Sequence, residues 1–169
     1  MSQNYLRYFG FRKEPFVADI EIDELLRTAA TTEVGNRVEY AIRLGSVGLI
    51  TGDVGCGKST ALRLATAGLL QSQYKVLRIT ASSGSILEFY RKVLDELDLE
   101  VRSFSKAVIV RAIKKEIREL VLDKRRQPVV VVDEANLLRL DVFAELHTLM
   151  QFESDSKPTV GVLQNNIRR

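Results

Sequence analysis

The densest chemistry in the chain lies in nine residues, GDVGCGKST, at positions 52–60. They fit the spacing G-x-x-x-x-G-K-[ST], with Gly52, Gly57, Lys58 and Ser59 at the fixed positions. Glycines spaced this way let the backbone curl until its N–H groups converge on phosphate oxygens. A helix starting at the same point adds the partial positive charge of its N-terminus. The run Gly52, Asp53, Val54, Gly55, Cys56, Gly57, Lys58, Ser59 and Thr60 is therefore read as a cradle for the phosphates of ATP. Lys58 is expected to reach the terminal phosphates, and Ser59 to offer its hydroxyl to Mg²⁺.

A second group follows about seventy residues later. The segment VVVVDEA ends an all-apolar run in Asp133 and Glu134. Asp133 is expected to hold Mg²⁺, directly or through water, and Glu134 to orient the water that attacks a γ-phosphate. A third candidate is Gln164, followed by Asn165, at the end of the run TVGVLQ. In a parallel sheet, reactive groups gather at the carboxyl ends of the strands. Gln164 is thus either a sensor of the γ-phosphate or a surface amide.

These groups need a frame, and the hydrophobic pattern supplies one. Strands are expected at 45–51, 74–80, 128–134 and 159–164. Helices are expected at 31–45, 57–73, 85–99, 105–125 and 140–152. Ile109, Ile113, Ile117 and Leu120 share one face of the fourth helix, and Ser85 is placed to cap the third. The run PVVVVD is apolar at every position, as in a strand covered on both sides. Alternating strands and helices then give an α/β three-layer sandwich of the P-loop type with a mainly parallel sheet. The 169 residues are read as a single nucleotide-binding domain. An aromatic segment and helix occupy 1–45, and the core occupies 46–169.

Composition excludes several alternatives. Cys56 is the only cysteine, so no internal disulfide framework is possible. No apolar run approaches membrane-spanning length, and the opening MSQNYLRYFGFRKEPF lacks a signal-type apolar stretch, so a cytoplasmic protein without membrane insertion is expected. Net charge is +3, but residues 105–126 alone carry +5. Arg111, Lys114, Lys115, Arg118 and Arg125 fall on the face opposite the isoleucines. That face either meets DNA phosphates or is merely solvated beside Glu116, Glu119 and Asp123.

Taken together, GDVGCGKST, VVVVDEANLL and TVGVLQNN resemble the AAA+ ATPases. The opening YLRYFGFRKEPF resembles the group containing the secretion-pathway ATPase A proteins and the ATP-dependent transposition helpers of bacterial insertion sequences. ITASSGSILEFYRKVLDEL and VDEANLLRLDVFAELHTLMQFESDSKP are most similar to the transposition helpers. The resemblance covers about residues 4 to 158. It implies ATP hydrolysis, assembly on duplex DNA as a homo-oligomer, and a transposase partner. The alternatives are an ATPase of a secretion or envelope assembly complex, acting through protein contacts, or a truncated remnant that only binds nucleotide. Members of the group continue past the fourth strand with a fifth strand, subunit-contact arginines and a helical lid. The chain is accordingly expected to be a truncated copy without the lid, in which nucleotide binding outlasts hydrolysis.

The remaining features receive plainer readings. Tyr8, Phe9, Phe11 and Phe16 are expected to pack against the sheet edge, although the resemblance would place them near the adenine. Cys56 is read as a small residue that fits its loop. His147 and Arg139 are read as structural or surface residues.

Overall fold

The computed structural model describes residues 3–15, 17, 20–150 and 160–166. Four parallel strands form one sheet: β1 (Val47–Gly52), β2 (Tyr74–Thr80), β3 (Gln127–Asp133) and β4 (Val160–Asn166). Their order is β1-β4-β3-β2. The last strand in sequence thus runs between the first and the third. It pairs Val47 to Gly52 with Gly161 to Asn166 on one side, and Val129 to Val132 with Val160 to Leu163 on the other.

After α1 (Gln3–Phe9), the helices of the layers are α2 (Ala29–Leu44), α3 (Lys58–Ala67), α4 (Ile86–Glu96), α5 (Lys106–Leu122) and α6 (Leu140–Met150). The layers follow from the alternation of β3. Val129 and Val131 pack with Val38 and Ile42 of α2 and Leu62 of α3. Val130 and Val132 point the other way, into a larger cluster with Leu77, Phe89, Val93, Ile109, Ile113 and Ile117. A strand with both faces buried must be apolar throughout, which accounts for the run of valines. Burial of each such side chain contributes about 1.5–3 kcal/mol.

Local signals fix the helix starts. Thr28 and Thr31 form a reciprocal capping box that opens α2, and the Ser85 hydroxyl accepts the Glu88 N–H at 3.3 Å to open α4. Several expected boundaries shift. Residues 45 and 46 belong to the turn after α2, so β1 begins at Val47 and continues to Gly52. The second expected helix stops at Ala67, and the third at Glu96. The fourth stops at Leu122, because the chain turns there and Arg125 takes a left-handed conformation (φ 50°). The aromatic segment also departs from expectation. Tyr8, Phe9 and Phe11 are 82%, 64% and 43% exposed rather than buried, and Phe9 packs its ring against both of the others. Phe16 lies outside the described residues.

Three helices of the larger cluster are tied by one polar contact. Glu145 of α6 accepts the hydroxyl of Tyr90 in α4 and pairs with Lys106 of α5. The hydrogen bond from Lys106, then that from Tyr90, holds the Glu145 carboxyl below its ordinary range. Burial, and then the bond to Glu145, pushes the Tyr90 phenol above its own.

Candidate nucleotide site

The loop between β1 and α3 is shaped by two glycines. Gly57 precedes α3 at φ 87°, a conformation that side chains disfavour. At Gly52 a Cβ would stand 2.9 Å from the Cys56 Sγ, so a side chain there would push that thiol aside. The first turn of α3 then presents N–H groups that have no partner within the helix. Ser59 lies exposed in that turn, and Thr60 is half-buried.

Lys58 is 7% exposed, an unusual position for a lysine. Its ammonium folds back over the loop and donates to the carbonyl oxygens of Gly52 at 3.0 Å and Asp53 at 2.7 Å. Cys56 Sγ stands 3.8 Å from the same nitrogen. Asp53, Val54, Gly55 and Cys56 are exposed along the loop. The result is a positive charge held inside a ring of backbone, with acceptors it can exchange for others.

Asp133 ends β3, half-buried, and its Oδ1 accepts the Glu134 N–H at 2.8 Å. Glu134 takes a left-handed conformation at φ 56° and ψ 38°, one of only three non-glycine residues with positive φ among those described. That conformation is uncommon for such a residue and costs energy that the surrounding structure must offset. It turns the chain sharply, so that two consecutive acids stand at one strand end.

Sheet register relates the two groups. Gln164 pairs with Ile50 of β1 and lies one step beyond the Val132–Leu163 pair, level with Asp133. Asn165 pairs with Thr51. The phosphate-type loop and the acid pair therefore leave the same edge of the sheet with one strand between them, a separation of about 10 Å at the usual strand spacing. Only the backbone of Gln164 and Asn165 is described.

Magnesium suits this donor set. A hydroxyl and a carboxylate are hard oxygen ligands, and Mg²⁺ commonly takes one or two protein ligands with phosphate and water completing its shell. No cluster of three His, Cys, Asp or Glu that could hold a metal ion occurs among the described residues.

The basic residues divide. Arg111, Lys115 and Arg118 are exposed on α5 and Lys114 is partly covered, whereas Arg125 stands past the helix end and does not share their face. Lys115 pairs with Glu119 at 3.5 Å, and Lys124 with Glu116 at 2.8 Å. Arg111 and Arg118 take part in no ion pair among the described residues. Arg139 pairs with Asp141 at 3.1 Å on the surface, and the side chain of His147 lies outside the described set.

Sequence reading passed over three residues beside the acid pair: Ser82, Glu88 and Lys92. They join in one polar cluster at the carboxyl end of β2. In the sequence they show only as a helical i,i+4 pair, the pattern of any solvated helix.

Comparison with known proteins adds the following. Residues 42–164 match the model of the family described as AAA domain. None of the curated proteins compared with the sequence matches it. The crystal structure of Cdc6p from Pyrobaculum aerophilum is similar with a TM-score of 0.65 at 15% identity, over 84% of this chain and 40% of that one. The structure of C. elegans PCH-2 gives 0.49 at 19% identity, over 85% of this chain and 39% of that one. The chain thus spans about two-fifths of the solved chains it matches.

Proposed function

Since the chain belongs to the AAA domain family and has the α/β fold of P-loop ATPases, we propose that it is an ATP-binding and ATP-hydrolysing transposition helper, which assembles on duplex DNA and assists a transposase. The observation that carries the ATPase part is the register that sets the loop of Lys58 and the acids Asp133 and Glu134 at one sheet edge. The finer part rests on the resemblance of residues 4 to 158 to the transposition helpers.

In this reading Lys58 exchanges its two loop carbonyls for phosphate oxygens, a charge-assisted replacement for neutral acceptors. The N–H groups of residues 55–60 cradle the phosphates. Ser59 and Asp133 would hold Mg²⁺, which when bound offsets phosphate charge. Glu134 orients the attacking water in line with the γ-phosphate, and Gln164 helps position it. The residues act as one domain over 1–169, and assembly is as a homo-oligomer in the cytoplasm. No helix among the described residues is long and apolar enough to cross a membrane. Arg111, Lys114, Lys115 and Arg118 form the DNA-facing strip of α5.

The test combines nucleotide and DNA retention. Glu134→Gln should bind Mg·ATP normally and lose turnover; unchanged turnover removes Glu134 from the mechanism. Duplex DNA should be retained only with ATP. Retention should fall with salt at a log–log slope of about −0.9 per phosphate contacted. Replacing Arg111 and Arg118 together by Ser should lessen the slope by about 2. ATP turnover with no DNA retention, but with capture of a secretion-complex protein, would instead support the protein-contact reading.

A further inference from the structure

We infer that Lys92 is a positioning residue for the acid pair, acting through the carboxyl end of β2. The inference rests on the ATPase reading of Asp133 and Glu134 for its kinetic consequence, but not for its structural one. An ammonium has three protons to donate. Lys92 Nζ donates to two acceptors, the Thr80 carbonyl at 3.0 Å and the Ser82 Oγ at 3.0 Å, and forms an ion pair with the Glu88 carboxylate at 3.6 Å. The Ser82 hydroxyl in turn donates to Glu88 at 2.8 Å. Gly84 leaves room for this arrangement, because a Cβ there would overlap the Glu88 carboxylate. The turn leaving β2 is therefore clamped onto α4 by one closed set of polar contacts.

That turn is the immediate neighbour of the acids. Thr80 pairs with Asp133 in the sheet, and the Ala81 N–H donates to the Asp133 carbonyl at 2.8 Å. The chain then turns into the left-handed Glu134. A loose β2 end would let the Asp133–Glu134 peptide move, and Glu134 must hold water within a few tenths of an ångström of its attack line. Clamping the neighbouring strand from α4 supplies that constraint from outside the nucleotide site. The competing account is a solvated i,i+4 ion pair of Lys92 with Glu88 that leaves the end of β2 untouched.

Amide hydrogen exchange separates the two. In Lys92→Met, exchange at Ala81 and Glu134 should quicken by about tenfold or more, while the Ile113 amide in the core of α5 stays unchanged. Gly84→Ala, which displaces the Glu88 carboxylate without touching Lys92, should produce the same local pattern. With Mg·ATP, both variants should lose kcat by about tenfold or more with KM changed by less than about threefold. Lys92→Arg, which keeps charge and donors, should recover most of the exchange protection. Exchange at Ala81 that stays at the wild-type rate in both variants overturns the clamp. So does a kcat loss matched by faster exchange at every core amide. If wild-type protein shows no turnover, the ATPase reading fails, and the exchange data alone still decide the clamp.

Discussion

Lys58→Met separates binding from folding with opposite expectations for each. Lys58 is 7% exposed, and its ammonium has two carbonyl partners. Methionine keeps the apolar stem and removes a desolvated charge along with its two hydrogen bonds. These effects oppose each other, so stability should change by no more than about 1 kcal/mol in either direction. That is a shift in Tm of roughly 2–4 °C for a chain of this size. Nucleotide affinity has no such compensation. Two charge-assisted bonds to phosphate contribute about 1.5–3 kcal/mol each, less what the loop carbonyls already supply in the free state. A net loss of about 2–4 kcal/mol weakens Kd by about 30- to 1000-fold. At a nucleotide concentration of about 100 times the wild-type Kd, Mg·ATP stabilises wild type by about 2.7 kcal/mol. The same concentration should stabilise the variant by about 0.9 kcal/mol or less. Thermal unfolding with and without Mg·ATP reads both quantities, and titration calorimetry gives Kd directly. A full ATP-induced shift in Lys58→Met would refute the phosphate role. Loss of cooperative unfolding without nucleotide would show that Lys58 is a structural lysine.

Two further predictions concern the helical layer. Glu145 titrates below its ordinary value in the fold, so its contribution is present above about pH 4.5 and is lost as pH falls through the depressed folded value. Tyr90 is raised, so its contribution is intact below the ordinary tyrosine range and declines as pH climbs past it. Urea unfolding across pH should show both flanks diminished in Tyr90→Phe, which removes one partner of a charged acceptor at a cost of about 1.5–3 kcal/mol; an unchanged pH profile would remove this contact from the stability of the layer. Ile113→Ala, at a fully buried position of α5, should cost about 2–5 kcal/mol in the same assay, and less than 1 kcal/mol would mean the cluster around it collapses freely.

Much of the molecule is legible in the chain alone because its signals are local. A glycine spacing that closes a loop on phosphate, a valine run that demands cover on both faces, and isoleucines recurring along α5 each constrain a few adjacent residues. Helix ends were less legible, since the stops at Ala67 and Leu122 depend on where the chain must turn back to the sheet. Moving the helix end to Leu122 also removed Arg125 from the basic face, which periodicity had extended one turn too far. The rings of Tyr8, Phe9 and Phe11 misled for a related reason. Aromatic character predicts burial on average, but not which surface supplies it.

What only the tertiary structure decided is adjacency between distant segments. Insertion of β4 between β1 and β3 brings Gln164 level with Asp133, and no periodicity along the chain encodes strand order. Lys92 reads as one more charge on a solvated helix until the end of β2 folds against it. Tyr90, Lys106 and Glu145 meet across three helices for the same reason. The sequence determined the glycine spacing of the loop after β1 and which surfaces had to be buried, because those follow from residue type and local spacing. Packing determined which of these groups face one another, because that depends on the register and order of strands many residues apart.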